Sequence, residues 1–276
     1  MWSRLVLLMI LGLPLAALDK RMPGAQILSG RHYVVESDAD PADTRAMLDH
    51  LDRFHDHLAR VFDGIAAPWN GQEVVRYCRD RPSFLAYGKA NCPGFSEGWY
   101  GYQADATATA PAELVLMHLG TNRSVLQHEA FHRFMARAYP GIRAWPRWFD
   151  EGLADWIARG RFVDDRFTLP ERIDPRDLTR VRDALSGGTF VPLERLMKLD
   201  NAGWNGDGQG LHYAEGYLFA TWLMRVDDAP YRGLLRDFLL RLARDQDYDK
   251  AFAATIGTVG VTRIQQEWIE WLRALR

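Results

Sequence analysis

Cysteine, lysine and excess charge of either sign are all scarce in this sequence of 276 residues. It contains two cysteines and four lysines, and its formal net charge at pH 7 is -2. A chain so near neutrality lacks the basic surface that nucleic acid requires, so no nucleic-acid partner is expected. Internal repeats, phosphate-binding glycine loops and the G-x-S-x-G elbow are also absent from the sequence. Nothing therefore indicates a nucleotide-dependent enzyme or a serine hydrolase of the elbow type.

Long apolar runs are missing except at the N-terminus, where residues 5–13 are almost unbroken apolar. Arg4 precedes this run and small residues up to Ala17 follow it, a pattern typical of a secretory signal peptide. The run is shorter than the roughly 20 residues of a membrane-spanning helix. We therefore predict a signal peptide over residues 1–17 and one domain over residues 18–276, secreted or periplasmic. An uncleaved membrane anchor is the alternative, and after cleavage no stable membrane insertion is expected.

The two cysteines, Cys78 and Cys92, are separated by a short stretch of chain. In an exported protein such a pair most simply forms a disulfide, and we predict one here. Two buried thiols are the alternative. Because no histidine lies near them in the sequence, the pair does not predict a second zinc site.

Apolar spacing divides the remaining chain into a sheet-forming first half and a mostly helical second half. Helical spacing is found over residues 43–62, 123–139, 231–244 and 261–275. Strands are predicted over residues 73–78 and 113–119, with a strand or hairpin over 95–103. The glycines of residues 201–210 predict a flexible stretch, either a lid or a surface turn. The predicted fold is α+β, with a small N-terminal mixed β-sheet and its helices followed by a mostly helical C-terminal half.

The most informative stretch is His128-Glu129-Ala130-Phe131-His132, which reads H-E-x-x-H inside the helical segment 123–139. Residues i and i+4 lie one turn apart on the same helix face, so both imidazoles can reach one metal ion. Glu129 then projects beside the metal without binding it, where a general base for an activated water belongs. Taken singly, each residue also has an ordinary interpretation as a solvent-facing histidine or a surface charge.

A third protein ligand is needed, because catalytic zinc sites usually have three and keep the fourth position open. Glu151 lies 19 positions after His132, which leaves room for a turn and for entry into a second helix near Pro146. Asp155, one turn beyond Glu151, can accept the free ring N–H of a ligating histidine. We therefore predict one Zn2+ per chain, held by His128, His132 and Glu151, with Asp155 orienting one of the ligands.

H-E-x-x-H followed by W-x-x-E-G-x-A, with a glutamate third ligand, resembles the gluzincin metallopeptidases and, within them, the bacterial peptidase MA-like group. The matching residues are His128, Glu129, His132, Trp148, Glu151, Gly152 and Ala154. Weaker similarity follows at residues 190–196 and 213–223, so the resemblance covers roughly residues 95–223. No exopeptidase signature of the G-A-M-E-N type precedes the helix, and nothing suggests an aminopeptidase.

The resemblance implies a gluzincin-like fold with the zinc site between the sheet and the helical half. It implies an exported peptidase in which zinc activates a water molecule and Glu129 takes its proton. Tyr213 is the first candidate for the oxyanion donor, with His212 and Tyr217 as alternatives. The open edge of the strand at 113–119 is expected to bind an extended peptide or protein substrate through main-chain hydrogen bonds.

Two other functional classes stay open at this point. One is a zinc hydrolase of a non-peptide amide, such as a cell-wall component. The other is a non-catalytic binding module that zinc only stabilises. The intact Glu129 argues against the second class, because a module that only held zinc would not need that carboxylate.

Overall fold

The computed structural model describes residues 22, 24–63, 71–92, 95–96, 101–104 and 112–275. The predicted signal peptide at residues 1–17 lies outside this part of the chain. Within the described residues, no helix is both long and apolar enough to span a bilayer. The described chain falls into two compact units, one up to Leu58 plus residues 68–133, the other residues 59–67 plus everything from Phe134 onward. The single domain expected over residues 18–276 stays a prediction.

The first unit contains a five-stranded sheet. Its strands are β1 Gln26–Ser29, β2 Tyr33–Ser37, β3 Glu73–Cys78, β4 Gly101–Ala104 and β5 Glu113–Met117. The spatial order is β1-β2-β3-β5-β4, with β2, β3 and β5 parallel and the two outer strands antiparallel. The central strand β3 is buried along its whole length, as expected for parallel strands covered on both faces. The predicted mixed N-terminal sheet is therefore confirmed.

Two helices in the first unit follow strands of this sheet. The first, α1, spans Pro41–Val61 and follows β2, and the second, α2, spans Arg81–Asn91 and follows β3. Parallel neighbours need such crossover connections, because a tight turn can only join antiparallel strands. The α1 side chains that are buried recur at helical spacing, including Met47, Leu51, Phe54 and Leu58.

The sheet buries a charged network at its centre. The Arg76 guanidinium on β3 donates to Glu36 on β2 and, at 2.9 Å, to Glu113 on β5. The Tyr87 hydroxyl on α2 donates to the other Glu113 oxygen at 2.8 Å. Buried charges are tolerated when each is paired and hydrogen-bonded, as they are here. The network also joins three strands and a helix, which supports the register of the sheet.

The two cysteines lie in one apolar cluster of the first unit, together with Phe84, Tyr87 and Val115. Both are buried thiols, and burial raises the pKa of the Cys78 thiol to about 12. A thiol with so high a pKa is a poor nucleophile at neutral pH. The predicted disulfide between Cys78 and Cys92 is not formed in this structure and stays a prediction for the exported protein.

The rest of the described chain is mostly helical. Its helices are α3 Ser124–Ala138, α4 Arg147–Ala158, α5 Pro175–Gly187, α6 Leu193–Leu196, α7 Asn201–Trp204, α8 Gln209–Arg225, α9 Leu234–Asp245, α10 Tyr248–Ala254, α11 Ile256–Val259 and α12 Val261–Ala274. A small hairpin of β6 Arg161–Val163 and β7 Arg166–Thr168 follows α4. The helical C-terminal half is confirmed, and large aromatic side chains such as Trp148, Phe219 and Trp268 fill its core.

Residues 201–210 form the short helix α7, an exposed turn over residues 205–208 and the start of α8, so the surface-turn alternative describes residues 205–208. Asp200 accepts the N–H of Gly203 at 2.7 Å and so caps α7, whose last residue, Trp204, is completely buried. The next helix, α8, begins at Gln209 after Gly208, whose φ of 90° suits glycine. Capping and the burial of one tryptophan therefore stabilise a short helix in a stretch whose glycine content favours a loop.

The strand at residues 113–119 was expected to have an open edge, and this is wrong. It corresponds to β5, which lies between β3 and β4 in the sheet. Among the described strands, the outermost on this side is β4, which runs antiparallel to β5 and pairs Gly101 with Leu116.

Candidate metal centre

The first part of the site is the helix α3, which occurs where the sequence predicts it. Its start is capped by Asn122, whose side chain accepts the N–H of Ser124 at 3.0 Å. The helix buries an apolar face that includes Ala130, Phe131 and Met135. That packing leaves the H-E-x-x-H side chains half-buried on the neighbouring face.

His128 and His132 lie one helical turn apart, with their Nε2 atoms separated by 3.0 Å. The two rings meet edge to face, with centroids 4.7 Å apart. The next residue, Arg133, is buried and donates through Nε to Glu73 of β3 at 2.5 Å. This ion pair attaches α3 to the sheet directly beside the second histidine.

Glu129 is half-buried on α3, and its side chain lies against β4 at Gly101. It is adjacent in sequence to His128, so it leaves the helix about 100° around from that ligand. The role of Glu129 as a carboxylate beside the two imidazoles stays a prediction.

The third predicted ligand, Glu151, lies on α4, which begins directly after Pro146. Most of α4 is buried, because its apolar positions occur on several faces. Gly152 lets α4 approach α8 closely, since a Cβ there would lie only 2.6 Å from the carbonyl oxygen of Gly216. Glu151 itself is 4% exposed.

The structure brings the three predicted ligands together. One nitrogen each from His128 and His132 and one carboxylate oxygen from Glu151 all lie within 4.8 Å of one another. Ligands of a tetrahedral zinc, at 2.0–2.1 Å from the metal, are separated by about 3.3 Å. The observed spacing therefore fits one metal ion after small side-chain adjustments. These residues form a candidate metal-binding triad.

Arg147 is a member of this site that the sequence analysis missed. Its guanidinium donates to Glu151 and lies 3.5 Å from an Asp150 oxygen. The spacing from Arg147 to Glu151 is i,i+4, a pairing that helix geometry favours, so the sequence contained a signal for it. The guanidinium compensates part of the negative charge that burial makes costly on Glu151.

Tyr213, the predicted oxyanion donor, lies in the second turn of α8 and not at a helix start as expected. Burial raises the pKa of its phenol above the usual value. The negative charges of Glu151 and Asp155 raise that pKa further, while Arg147 opposes them. The hydroxyl therefore lies within electrostatic reach of the predicted third ligand, and it stays protonated at neutral pH.

The two alternative donors are occupied by other contacts. His212 is buried, and its Nδ1–H donates to the carbonyl oxygen of Trp204 at 2.9 Å. The ring of Tyr217 is buried beneath the Arg159 guanidinium, at 3.6 Å from the ring centroid. Of the three candidates, Tyr213 alone is half-buried rather than fully buried.

Asp155 lies one turn after Glu151 on α4 and is half-buried, as the spacing predicts. A carboxyl that sequence analysis did not single out, Glu215, is fully buried on α8. It accepts the N–H of Val191 at 3.0 Å, and burial raises its pKa to about 8. The signal that could have revealed its burial is the mostly apolar sequence of residues 214–223, typical of a helix buried on all sides.

No protein-family model matches this chain, and a search of curated proteins finds no match. The residues and geometry of the triad therefore carry the functional proposal.

Proposed function

We propose that this chain is an exported, zinc-dependent peptidase of the gluzincin type. The observation that supports the proposal is the convergence of His128, His132 and Glu151 on one point, with Glu129 beside them. The three ligands come from two helices whose order and spacing the sequence motif specifies. A chance cluster of two imidazoles and a carboxylate would have no reason to carry that motif.

The donor set suits zinc, which prefers imidazole nitrogen with one carboxylate in catalytic sites. A zinc ion bound there would supply Lewis acidity, polarising a carbonyl group and lowering the pKa of a water molecule. Arg147 holds one oxygen of Glu151, which limits the directions in which that carboxylate can turn. Two histidine ligands on α3 and a third ligand on α4, the restrained carboxylate of Glu151, form a preorganised site.

Glu129 is the proposed general base. It takes the proton from the attacking water and returns it to the leaving amine of the cleaved peptide bond. A base for this task must lie near the metal without binding it, and the position after His128 meets that requirement.

Tyr213 is the proposed donor to the oxyanion that develops on the carbonyl oxygen. Its raised pKa keeps the phenol protonated, so the hydroxyl can donate a hydrogen bond at neutral pH. The neighbouring Arg147 adds a positive charge close to the same position.

The proposed substrate is a peptide or protein segment bound in extended form. Within the described part of the sheet, β4 is the edge strand on this side, so its outward main-chain groups can pair with an added strand. Glu129 lies against that strand, which would place the base beside a peptide bound there.

Metal analysis of the purified full chain tests the proposal first. We expect one equivalent of zinc for the wild type and none for the double variant His128→Ala/His132→Ala. His118→Ala, which removes an imidazole elsewhere in the first unit, should keep the full equivalent. A double variant that still carries one zinc would place the metal somewhere else.

Peptide cleavage tests the second half of the proposal. Glu129→Gln should retain zinc and lose hydrolysis of a quenched-fluorescence peptide library by roughly 10²–10⁴-fold, as removal of a general base does. If the zinc-loaded wild type cleaves no peptide but does cleave non-peptide amides, the proposed activity changes from peptidase to amidase. Loss of zinc from Glu129→Gln would show that Glu129 is a ligand.

A further inference from the structure

Gly101 of β4 lies directly against the side chain of Glu129. A Cβ atom at position 101 would lie 2.6 Å from Cγ and 3.3 Å from Cδ of Glu129. It would also lie 3.2 Å from Cγ1 of Val125, one turn earlier on α3. Real Cβ atoms do not approach a carbon to 2.6 Å, so any residue other than glycine forces a movement.

The requirement for glycine at this position is steric and not conformational. Seven glycines of the described chain have a positive φ, including Gly120 and Gly208, and Gly101 is not one of them. An L-amino acid can therefore adopt the backbone conformation of residue 101 without strain. What excludes one is the space taken by the Glu129 side chain and, less tightly, by Val125.

The two backbones that enclose this contact are both held in place. On one side, Gly101 pairs with Leu116 in the β4–β5 ladder. On the other side, α3 is attached to β3 by the buried Arg133–Glu73 ion pair one turn beyond Glu129. The atom that collides, Cγ, is only two bonds from the helix backbone, so it moves only when the side chain rotates and carries the carboxylate with it.

We propose that Gly101 is the positioning residue for Glu129: the bare backbone of β4 forms the wall against which the carboxylate rests. The proposal rests on the proposed function, because it assigns to Gly101 the placement of the general base. A base must lie within hydrogen-bond distance of its proton, and a misplacement of about 1 Å can cost about 10²-fold in rate. Any side chain at position 101 should therefore lower the rate while leaving the metal ligands in place.

The first test uses the zinc-loaded full chain and the quenched-fluorescence peptide library. Gly101→Ala should lower kcat by roughly 10²-fold, with KM within about threefold of the wild type and one equivalent of zinc retained. In the background of Glu129→Gln, adding Gly101→Ala should lower the residual rate no further. Gly187→Ala is the matched control, because a Cβ at Gly187 meets nothing within 4 Å and the backbone φ is ordinary.

The second test requires no substrate. Gly101→Ala should lower Tm in the wild-type background, and by much less in the background of Glu129→Ala, which removes Cγ and with it the collision. This cycle remains informative if Gly101→Ala alone folds poorly, because the double variant should then recover. Equal Tm losses in both backgrounds, or an unchanged kcat in Gly101→Ala, would overturn the proposal. If the wild type cleaves no peptide, the peptidase function fails, and the Tm cycle alone decides whether Gly101 positions Glu129.

Discussion

The two helices that carry the candidate ligands, α3 and α4, are held by different kinds of contact. α3 is attached to the sheet by a buried ion pair, Arg133 with Glu73, and its Glu129 rests against a strand backbone. α4 packs on α8 through a crossing of two glycines, Gly152 and Gly216, with a carbonyl oxygen at the point of closest approach.

The difference shows two ways of fixing the position of a helix that carries a ligand. An ion pair is directional, and it fails when one partner loses its charge, because the other is then left buried and uncompensated. A glycine crossing depends on the small volume of glycine, and it fails when a single methyl group is added at the point of contact. α3 should therefore be sensitive to the removal of charge and α4 to the addition of atoms.

The largest effect is expected from breaking the ion pair. Arg133→Met keeps a long apolar side chain but leaves Glu73, which is 4% exposed, without its guanidinium. We expect a loss of about 4 kcal/mol in the free energy of unfolding, measured by urea denaturation. Arg137→Met, at an exposed position one turn later, should change stability by less than about 0.5 kcal/mol. Similar losses of stability for the two variants would show that the ion pair does not hold α3 in place.

Adding one methyl group to the glycine crossing should have the next largest effect. Gly152→Ala brings a Cβ to 2.6 Å from the Gly216 carbonyl oxygen. We expect a net loss of about 2 kcal/mol, because overpacking outweighs the better helix propensity of alanine. Gly210→Ala is the control on α8, since its Cβ would meet only the flexible end of Arg180, at 3.6 Å. A stabilised Gly152→Ala would show that the two helices can separate freely.

A pH-dependent effect is expected from Glu215, the buried carboxyl of α8. Burial raises its pKa from 4.5 to about 8, so the folded protein holds it protonated at neutral pH while the unfolded chain does not. Its contribution to stability is complete below about pH 4.5 and is lost as the pH rises through about 8. Glu215→Gln should remove this slope, so that the variant gains stability relative to the wild type as the pH rises from 5 to 8. Parallel Tm curves for the two proteins over that range would contradict the assignment.

The smallest effect concerns the thiols of Cys78 and Cys92. If they remain reduced, neither should react with iodoacetamide in the native protein at pH 7, because both are buried and Cys78 has a raised pKa. If the exported protein forms the predicted disulfide, mass spectrometry without reductant should show the linked peptides, and the denatured protein should react only after reduction. Two alkylatable thiols in denatured, unreduced protein from the periplasm would exclude the bridge.

Much of the first half of the site follows from local sequence. The interval from His128 to His132 and the apolar face of α3 are properties of one helix, and helical periodicity predicts both. The same holds for α1, predicted over residues 43–62 and found at Pro41–Val61. The short helix α7 within residues 201–210 was not predicted, because it depends on the burial of Trp204, and burial depends on contacts remote in sequence.

The sequence by itself determined the chemical identity of the candidate ligands, their order along the chain and the helix that carries two of them. Only the tertiary structure decided that Glu151 comes near the two histidines, that Gly101 confines Glu129 and that Arg147 holds Glu151. The reason is physical: periodicity records which face of an element is apolar, whereas close approaches between elements depend on how complete side chains pack. A glycine that packs against a carboxylate leaves no periodic pattern in the sequence, because its effect comes from the absence of a Cβ atom.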